Sequence, residues 1–240
     1  MANTKISQGI RLNKYIADSG VCSRREADRL ITEGKVTIDG KIGVLGDQVL
    51  EGMRVCVAGR MVTPKTDFAY IALNKPVGIV CTADPREPYN VVDYIGHPKR
   101  IFPIGRLDKD SSGLLLLTSD GSVVNKVLRA AGGHEKEYIV TVDKPITPQF
   151  LAAMRKGVPI LDTVTMPCVC ERIAPRTFRI ILVQGLNRQI RRMCEYLGYR
   201  VLELTRIRIM HITLGNLETG HWRNLTQAEV EGLMQAKERE

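Results

Sequence analysis

The sequence predicts an α+β protein of two domains. A small module of two helices and short strands spans 1–62, and a larger domain with a mostly antiparallel mixed sheet flanked by helices spans 63–240. Three observations predict it. Two apolar-periodic stretches, each closed by a glycine, precede a tight-turn pair, Asp39-Gly40. From Ala69 to about residue 225, strand-like runs alternate with separated helices. Finally, 240 residues suffice for one small and one medium core.

The elements follow in order. Leu12, Tyr15 and Ile16 fall at helical spacing and Gly20 ends that helix. Ser23-Arg24-Arg25-Glu26 has the form of a capping box, Ala27, Leu30 and Ile31 continue one face, and Gly34 stops it. Val36 to Ile38, the Asp39-Gly40 turn and the strands through Val55 and Val57 complete the module. Residues 60–70, with Pro64, Lys65 and Asp67, read as a linker. Beyond it, Ala69 to Leu73, the apolar run Leu114 to Leu117, Tyr138 to Val142 and Thr177 to Val183 read as strands. Thr147-Pro148 opens a helix that ends at Gly157, Asn187 to Leu197 forms another stopped by Gly198, and the capping box Thr226 to Glu229 opens the last.

Composition narrows the class. Hydrophobic residues at 44% and charged residues at 25% argue against wholesale disorder. The net charge of +9 favours a polyanionic partner, either nucleic acid or an anionic membrane surface. No run approaches the length of a bilayer span, and residues 1–7 lack the apolar core of a secretory signal, so the expected compartment is the cytoplasm. The six cysteines are scattered in a chain too large to need stapling, which predicts reduced thiols. Cys168-x-Cys170 has neither a second pair nor a nearby histidine, so no metal site is expected. Charge is uneven in the small module. Arg11, Lys14, Arg24, Arg25, Arg29 and Lys35 lie on or beside the two helices, a pattern that suits a phosphate backbone and equally a solvated helical face.

The larger domain holds three constellations. The first is the loop Gly105-Arg106-Leu107-Asp108-Lys109-Asp110, launched straight into the apolar run, which presents one carboxylate beside an arginine on a rigid base. The second is Tyr138 in Glu137-Tyr138-Ile139-Val140, and the third is Asn187-Arg188-Gln189-Ile190-Arg191-Arg192-Met193. Arg188 and Arg191 are three apart and can aim into one cleft, while Ile190 and Met193 pack inward. An arginine beside Asp108 would hold that carboxylate ionised, ready to attack carbon or remove a proton. A glycosidase would need a second carboxyl group across the sugar, and Asp110, two residues away on the same loop, points the wrong way for that. A phosphoryl-transfer enzyme using Asp108 and Asp110 around Mg²⁺ would lack a glycine-rich phosphate loop with its lysine.

Two resemblances cover nearly the whole chain. Arg11 to Ile16, Ser23 to Asp28 and Gly34 to Gly40 resemble the S4 RNA-binding domain. Pro103 to Asp108, Gly113 to Gly121, Lys136-Glu137-Tyr138 and Asn187 to Met193, with Asn74-Lys75-Pro76-Val77-Gly78 and Leu225, resemble in order the RsuA family of pseudouridine synthases. Leu73 to Val80 and Val183 to Arg188 look closest to its RluF branch, which acts on large-subunit ribosomal RNA. Ser119 departs from the asparagine usual before Asp120-Gly121.

The resemblance implies isomerisation of a uridine within ribosomal RNA, that of the large subunit, with 16S rRNA or tRNA as the alternative targets. It implies no metal or cofactor, no membrane, and a monomer. A non-catalytic ribosome-assembly factor on the same fold is the rival reading. Against it stands Asp108, since a binding protein gains nothing from a carboxylate that repels phosphate. By the resemblance, Asp108 acts on the ribose, as nucleophile at C1′ or base at C2′. Tyr138 stacks on the uracil and helps take the C5 proton, and Arg191 pairs with Asp108. A stacked base is out of reach, so the nucleotide must be flipped out, and Arg106 is the residue suited to fill the vacated stack. Arg206, Arg208 and Arg223 stay outside the catalytic set, as arginines that touch phosphate or line a solvated strand face.

Overall fold

The computed structural model describes residues 9–128 and 133–235. The chain divides into two compact units, Met1–Phe68 and Ala69–Glu240. In the first, β1 (Ile10–Arg11) leads into α1 (Leu12–Asp18) and then α2 (Arg24–Thr32). Leu12 and Ile16 of α1 and Ala27 and Ile31 of α2 are buried together with Val36, Val49 and Val55. Ser23 Oγ accepts the Glu26 N–H at 3.1 Å, which is half of the expected capping box. The other half is absent because the Glu26 carboxylate takes the Arg29 guanidinium one turn on instead, with Arg29 Nε at 3.0 Å. On an exposed helix face a charge-assisted partner competes well with a backbone N–H.

β2 (Val36–Ile38) and β3 (Lys41–Ile42) close the predicted hairpin, with Asp39 and Gly40 at φ 48° and 82° as a primed turn demands. β4 (Gln48–Val49) pairs with β1, and β5 (Val55–Val57) lies beside β2. The expected linker from residue 60 is in part a strand. β6 (Arg60–Val62) pairs antiparallel with β5 through a turn in which Ala58 and Gly59 both have positive φ, and it buries Val62. A three-residue edge strand with two exposed positions carries too little periodicity to be read from sequence.

The second unit is built on β7 (Tyr70–Lys75), α3 (Val91–Ile95), β8 (Phe102–Ile104), β9 (Ser112–Thr118), α4 (Gly121–Leu128) and β10 (Lys136–Val142). These are followed by α5 (Pro148–Lys156), β11 (Pro159–Ile160), β12 (Thr163–Val164), β13 (Val169–Ala174), β14 (Thr177–Leu182) and α6 (Gln189–Tyr196). β15 (Val201–Ile209), β16 (Ile212–Thr213), β17 (Trp222–Asn224) and α7 (Gln227–Met234) end it. One sheet runs in the order β13-β14-β10-β15-β9-β7-β17, with β16 on β15 and β8 on β9. Its ladders are antiparallel except β15 with β9, where Thr205 faces Ser112 and Arg206 faces Gly113 in parallel register. That junction joins two antiparallel halves.

The run Leu114 to Leu117 explains its own composition. Leu115 and Leu117 enter the core under α3, while Leu114 and Leu116 enter the core shared by α4 and α7 on the other face. A strand covered on both faces needs apolar residues at every position, and each fully buried leucine contributes about 2 kcal/mol. α5 and α6 cover the β10–β14 half through Phe150, Met154, Ile190 and Met193, the last two as expected. Thr226 and Glu229 form the full capping box of α7. Among the described residues no helix is long and apolar enough to cross a membrane, and no cluster of His, Cys, Asp or Glu has the arrangement of a metal site.

Candidate active site

β8 delivers the chain to Gly105, whose φ of 81° turns it out of the sheet into the loop that returns as β9. Leu107 is buried, and its N–H donates to Cys81 Sγ at 3.3 Å, so the loop is pinned from below. The Ser111 N–H bonds the Asp108 carbonyl at 3.1 Å, and the Gly78 N–H bonds that of Lys109 at 2.7 Å. Lys75 stiffens the second support. It is fully buried, with Nζ donating to the carbonyls of Pro76 at 2.8 Å and Ile79 at 2.9 Å, and burial pushes its ammonium below the usual lysine range. Asp108 is thereby held on a rigid loop with about a third of its side chain exposed.

The arginines come from the other side. Arg188 is the residue before α6, in the left-handed region at φ 50° and ψ 34°, and not within the helix as its sequence spacing suggests. Its guanidinium forms a two-pronged pair with Asp110, Nη1 to Oδ1 and Nη2 to Oδ2, each 3.1 Å. Arg191 Nη2 donates to the Asp110 carbonyl at 2.8 Å and to Ser111 Oγ at 3.1 Å. Both arginines also lie near Asp108 Oδ2, Arg188 Nη1 at 3.6 Å and Arg191 Nε at 4.0 Å. Asp110 thus receives the tight contacts, and the Arg188 hydrogen bonds hold its carboxyl below the ordinary range, against the opposing effect of burial. Among the described residues Asp108 accepts no side-chain hydrogen bond, so its oxygens stay available to an incoming group, with two guanidiniums beside them. Two guanidiniums already answer the two carboxylates that a magnesium site would need bare.

Asp108, Arg106, Tyr138, Arg188 and Arg191 line one cleft of about 960 Å³. Tyr138 stands on β10, cross-strand from Ile180 on one side and Arg206 on the other. Two further cations line the same cleft. Lys136 donates to the His134 carbonyl at 3.2 Å, and burial, with Arg206 nearby, pushes its ammonium below the usual lysine range. Arg206 is only 3% exposed, which corrects its reading as a surface arginine. β15 is an interior strand of a sheet covered on both faces, so alternation along it does not mark a wet side. Arg208 and Arg223, set aside with it, end on Glu137 at 2.6 Å and Glu229 at 2.7 Å. Nothing in the local sequence separates Arg206 from Arg208 on the same strand; what differs is the neighbour, Gly113 of β9 beside Arg206 and Glu137 of β10 in contact with Arg208.

In the first unit the six basic residues divide. Lys14 pairs with Asp18, Arg29 with Glu26 and Glu33, and Lys35 with Glu33. Arg11, Arg24 and Arg25 are exposed and, among the described residues, form no ion pair.

Comparison with known proteins agrees with this chemistry. Residues 69–196 match the family model described as RNA pseudouridylate synthase, and residues 10–55 match the S4 domain. The chain is 60% identical over 222 residues to the dual-specificity RNA pseudouridine synthase RluF of Salmonella typhi, covering 92% of this chain and 77% of that one. The Escherichia coli (strain K12) protein of the same name is 57% identical over 223 residues, with the same coverage. The ribosomal large subunit pseudouridine synthase B of Bacillus subtilis (strain 168) is 37% identical over 233 residues, covering 93% of this chain and 95% of that one. A crystal structure of a pseudouridylate synthase superposes with a TM-score of 0.69 at 30% identity, covering 93% of this chain and 99% of the other. The resemblance to the RsuA family and its RluF branch is therefore borne out. With an S4 domain ahead of a sheet that gathers one carboxylate, one tyrosine and paired arginines in a single cleft, the chain belongs to the RNA pseudouridylate synthases, which turn uridine in RNA into pseudouridine.

Proposed function

We propose that this chain isomerises a uridine of large-subunit ribosomal RNA, as a monomer in the cytoplasm, with Asp108 as the group that acts on the ribose. The observation that carries the reading is the Asp108 carboxylate itself. Among the described residues it meets no hydrogen-bond donor, and it is flanked by Arg188 and Arg191 and lines the same cleft as Tyr138. Asp108 either bonds to C1′ as the N1–C1′ bond breaks or takes the C2′ proton as uracil leaves. The uracil then turns and rejoins through C5, whose proton Tyr138 helps to remove. Arg191 keeps the loop and its charge in place through Asp110 and Ser111. Flipping the nucleotide out costs a few kcal/mol, and Arg106, exposed at the mouth of the cleft, takes the vacated place in the stack.

The names of the Bacillus subtilis and enterobacterial relatives support the ribosomal target and a test for a second RNA. Pseudouridine mapping in 23S rRNA, 16S rRNA and tRNA from cells with and without the gene tests it. A position in 23S rRNA is expected to revert to uridine, and an unchanged map in all three RNAs overturns the proposal.

The S4 unit serves as the RNA clamp, through Arg11, Lys14, Arg24, Arg25, Arg29, Lys35 and, in the larger unit, Arg188. Arg24 and Arg25 give the cleanest test, because no acidic partner on their own helix offsets them. The double variant Arg24→Ala, Arg25→Ala is expected to flatten the slope of log affinity against log salt by about 1.5, two phosphate contacts' worth. Fluorescence anisotropy with a labelled rRNA fragment over a salt series reads it. An unchanged slope removes α2 from the RNA interface.

A further inference from the structure

Charge is unevenly matched inside the cleft. Arg188 and Arg191 are met by Asp108 and Asp110, two positive charges against two negative. Among the described residues Arg206 has no such partner. Its Nε donates to the Leu114 carbonyl at 2.7 Å and its Nη1 to the Arg106 carbonyl at 3.4 Å, both neutral, while its buried Nη2 has no hydrogen-bond partner among the described residues. Three arginines of the same sheet differ, since Arg179, Arg208 and Arg223 all end on glutamates. Lys136 repeats the pattern one strand away, its Nζ on the neutral His134 carbonyl. Both cations line the cleft, and Arg206 lies cross-strand from Tyr138.

An unpaired ion held out of water is costly, and two carbonyls do not offset that cost. A negative charge that enters the cleft would. Phosphates stay with the backbone at the surface, whereas the flipped base enters. When N1–C1′ breaks, its electron pair leaves with the uracil, which becomes an anion with charge spread over N1, C5 and both carbonyl oxygens. Whichever route Asp108 follows, its own charge disappears at the same moment. It becomes a neutral ester at C1′, or a neutral acid holding the C2′ proton. One unit of negative charge therefore moves from the carboxylate between Arg188 and Arg191 to the uracil ring.

We infer that Arg206 and Lys136 stabilise the departing uracil anion. The inference rests on the isomerase reading above. Fixed positive charge in a site of low dielectric acts most strongly on charge that develops only in the transition state.

The test is the single-turnover rate of N1–C1′ cleavage in a target RNA carrying either uridine or 5-fluorouridine, whose fluorine makes uracil a better leaving anion. Arg206→Met is expected to slow the uridine substrate by about 100-fold with RNA affinity within about threefold, the size of loss seen when one such stabilising group is removed. On 5-fluorouridine the loss should shrink below about tenfold, and Arg206→Lys should recover most of the rate on uridine, because it restores the charge but not the shape. Lys136→Met, on a partly exposed side chain, gives the same pattern should Arg206→Met fail to fold. Equal losses on both substrates, or weaker binding at unchanged rate, would overturn the inference, the latter by making these cations phosphate ligands. Wild-type protein that converts no RNA would instead defeat the isomerase reading, so the two failures are separable.

Discussion

Asp108→Asn should lower the single-turnover rate of isomerisation by at least about 10³-fold while RNA affinity stays within about threefold of wild type. The amide matches the carboxylate in shape but neither attacks carbon nor accepts a proton at neutral pH. Folding should survive the change, because the Asp108 side chain is partly exposed and, among the described residues, accepts no side-chain hydrogen bond that would be lost. Arg188 and Arg191 remain anchored on Asp110 and Ser111, so the opposite wall of the cleft keeps its shape. Binding should hold or tighten slightly, since removing a negative charge beside a polyanion relieves repulsion. Turnover within tenfold of wild type would sink the assignment of Asp108, whatever the fate of the rest.

The companion variant Asp110→Asn separates two jobs that the sequence leaves entangled. Asp110 holds the tight arginine contacts, so its loss should loosen Arg188 and Arg191 without removing the reactive oxygen. The spacing let Arg188 and Arg191 aim into one cleft and the resemblance paired Arg191 with Asp108, but nothing in the sequence showed that Asp110 takes the closer arginine contacts. That pairing depends on Arg188 adopting a left-handed backbone just before α6, a conformation that a non-glycine residue seldom takes and that no local signal announces.

Other features follow the same division. The N-caps at Ser23, Thr147 and Thr226 were legible because capping is a matter of neighbours within four residues. The leucine run was legible as a buried strand because burial on both faces leaves an unbroken apolar stretch. Arg206 and Lys75 were not, because a buried cation looks like a surface one until the strand order is known. Glu26 shows the local limit, where one side chain had two nearby partners and took the charged one.

Gly113→Ala is expected to lower stability by about 3–5 kcal/mol, adding a positive-φ penalty of about 1–3 to the cost of overpacking. Gly113 has φ +100°, and a Cβ there would lie 2.2 Å from the Arg206 carbonyl oxygen and 2.7 Å from its nitrogen. Neither is the far end of a side chain that could swing away. Both belong to the strand that Gly113 faces across the parallel β9–β15 ladder. Relief requires the two strands to separate at the junction of the sheet's antiparallel halves. That shift also pulls on Arg206, whose guanidinium bonds Leu114 and the Arg106 carbonyl, and so on the loop that carries Asp108. Thermal unfolding should show a midpoint lowered by roughly 10 °C for a unit of this size, together with reduced activity in the fraction that stays folded. Gly185→Ala is the control for stability, since a Cβ there meets nothing within 4 Å, and it should melt within about 2 °C of wild type. If the two variants melt alike, the close approach of β9 and β15 does not constrain this sheet.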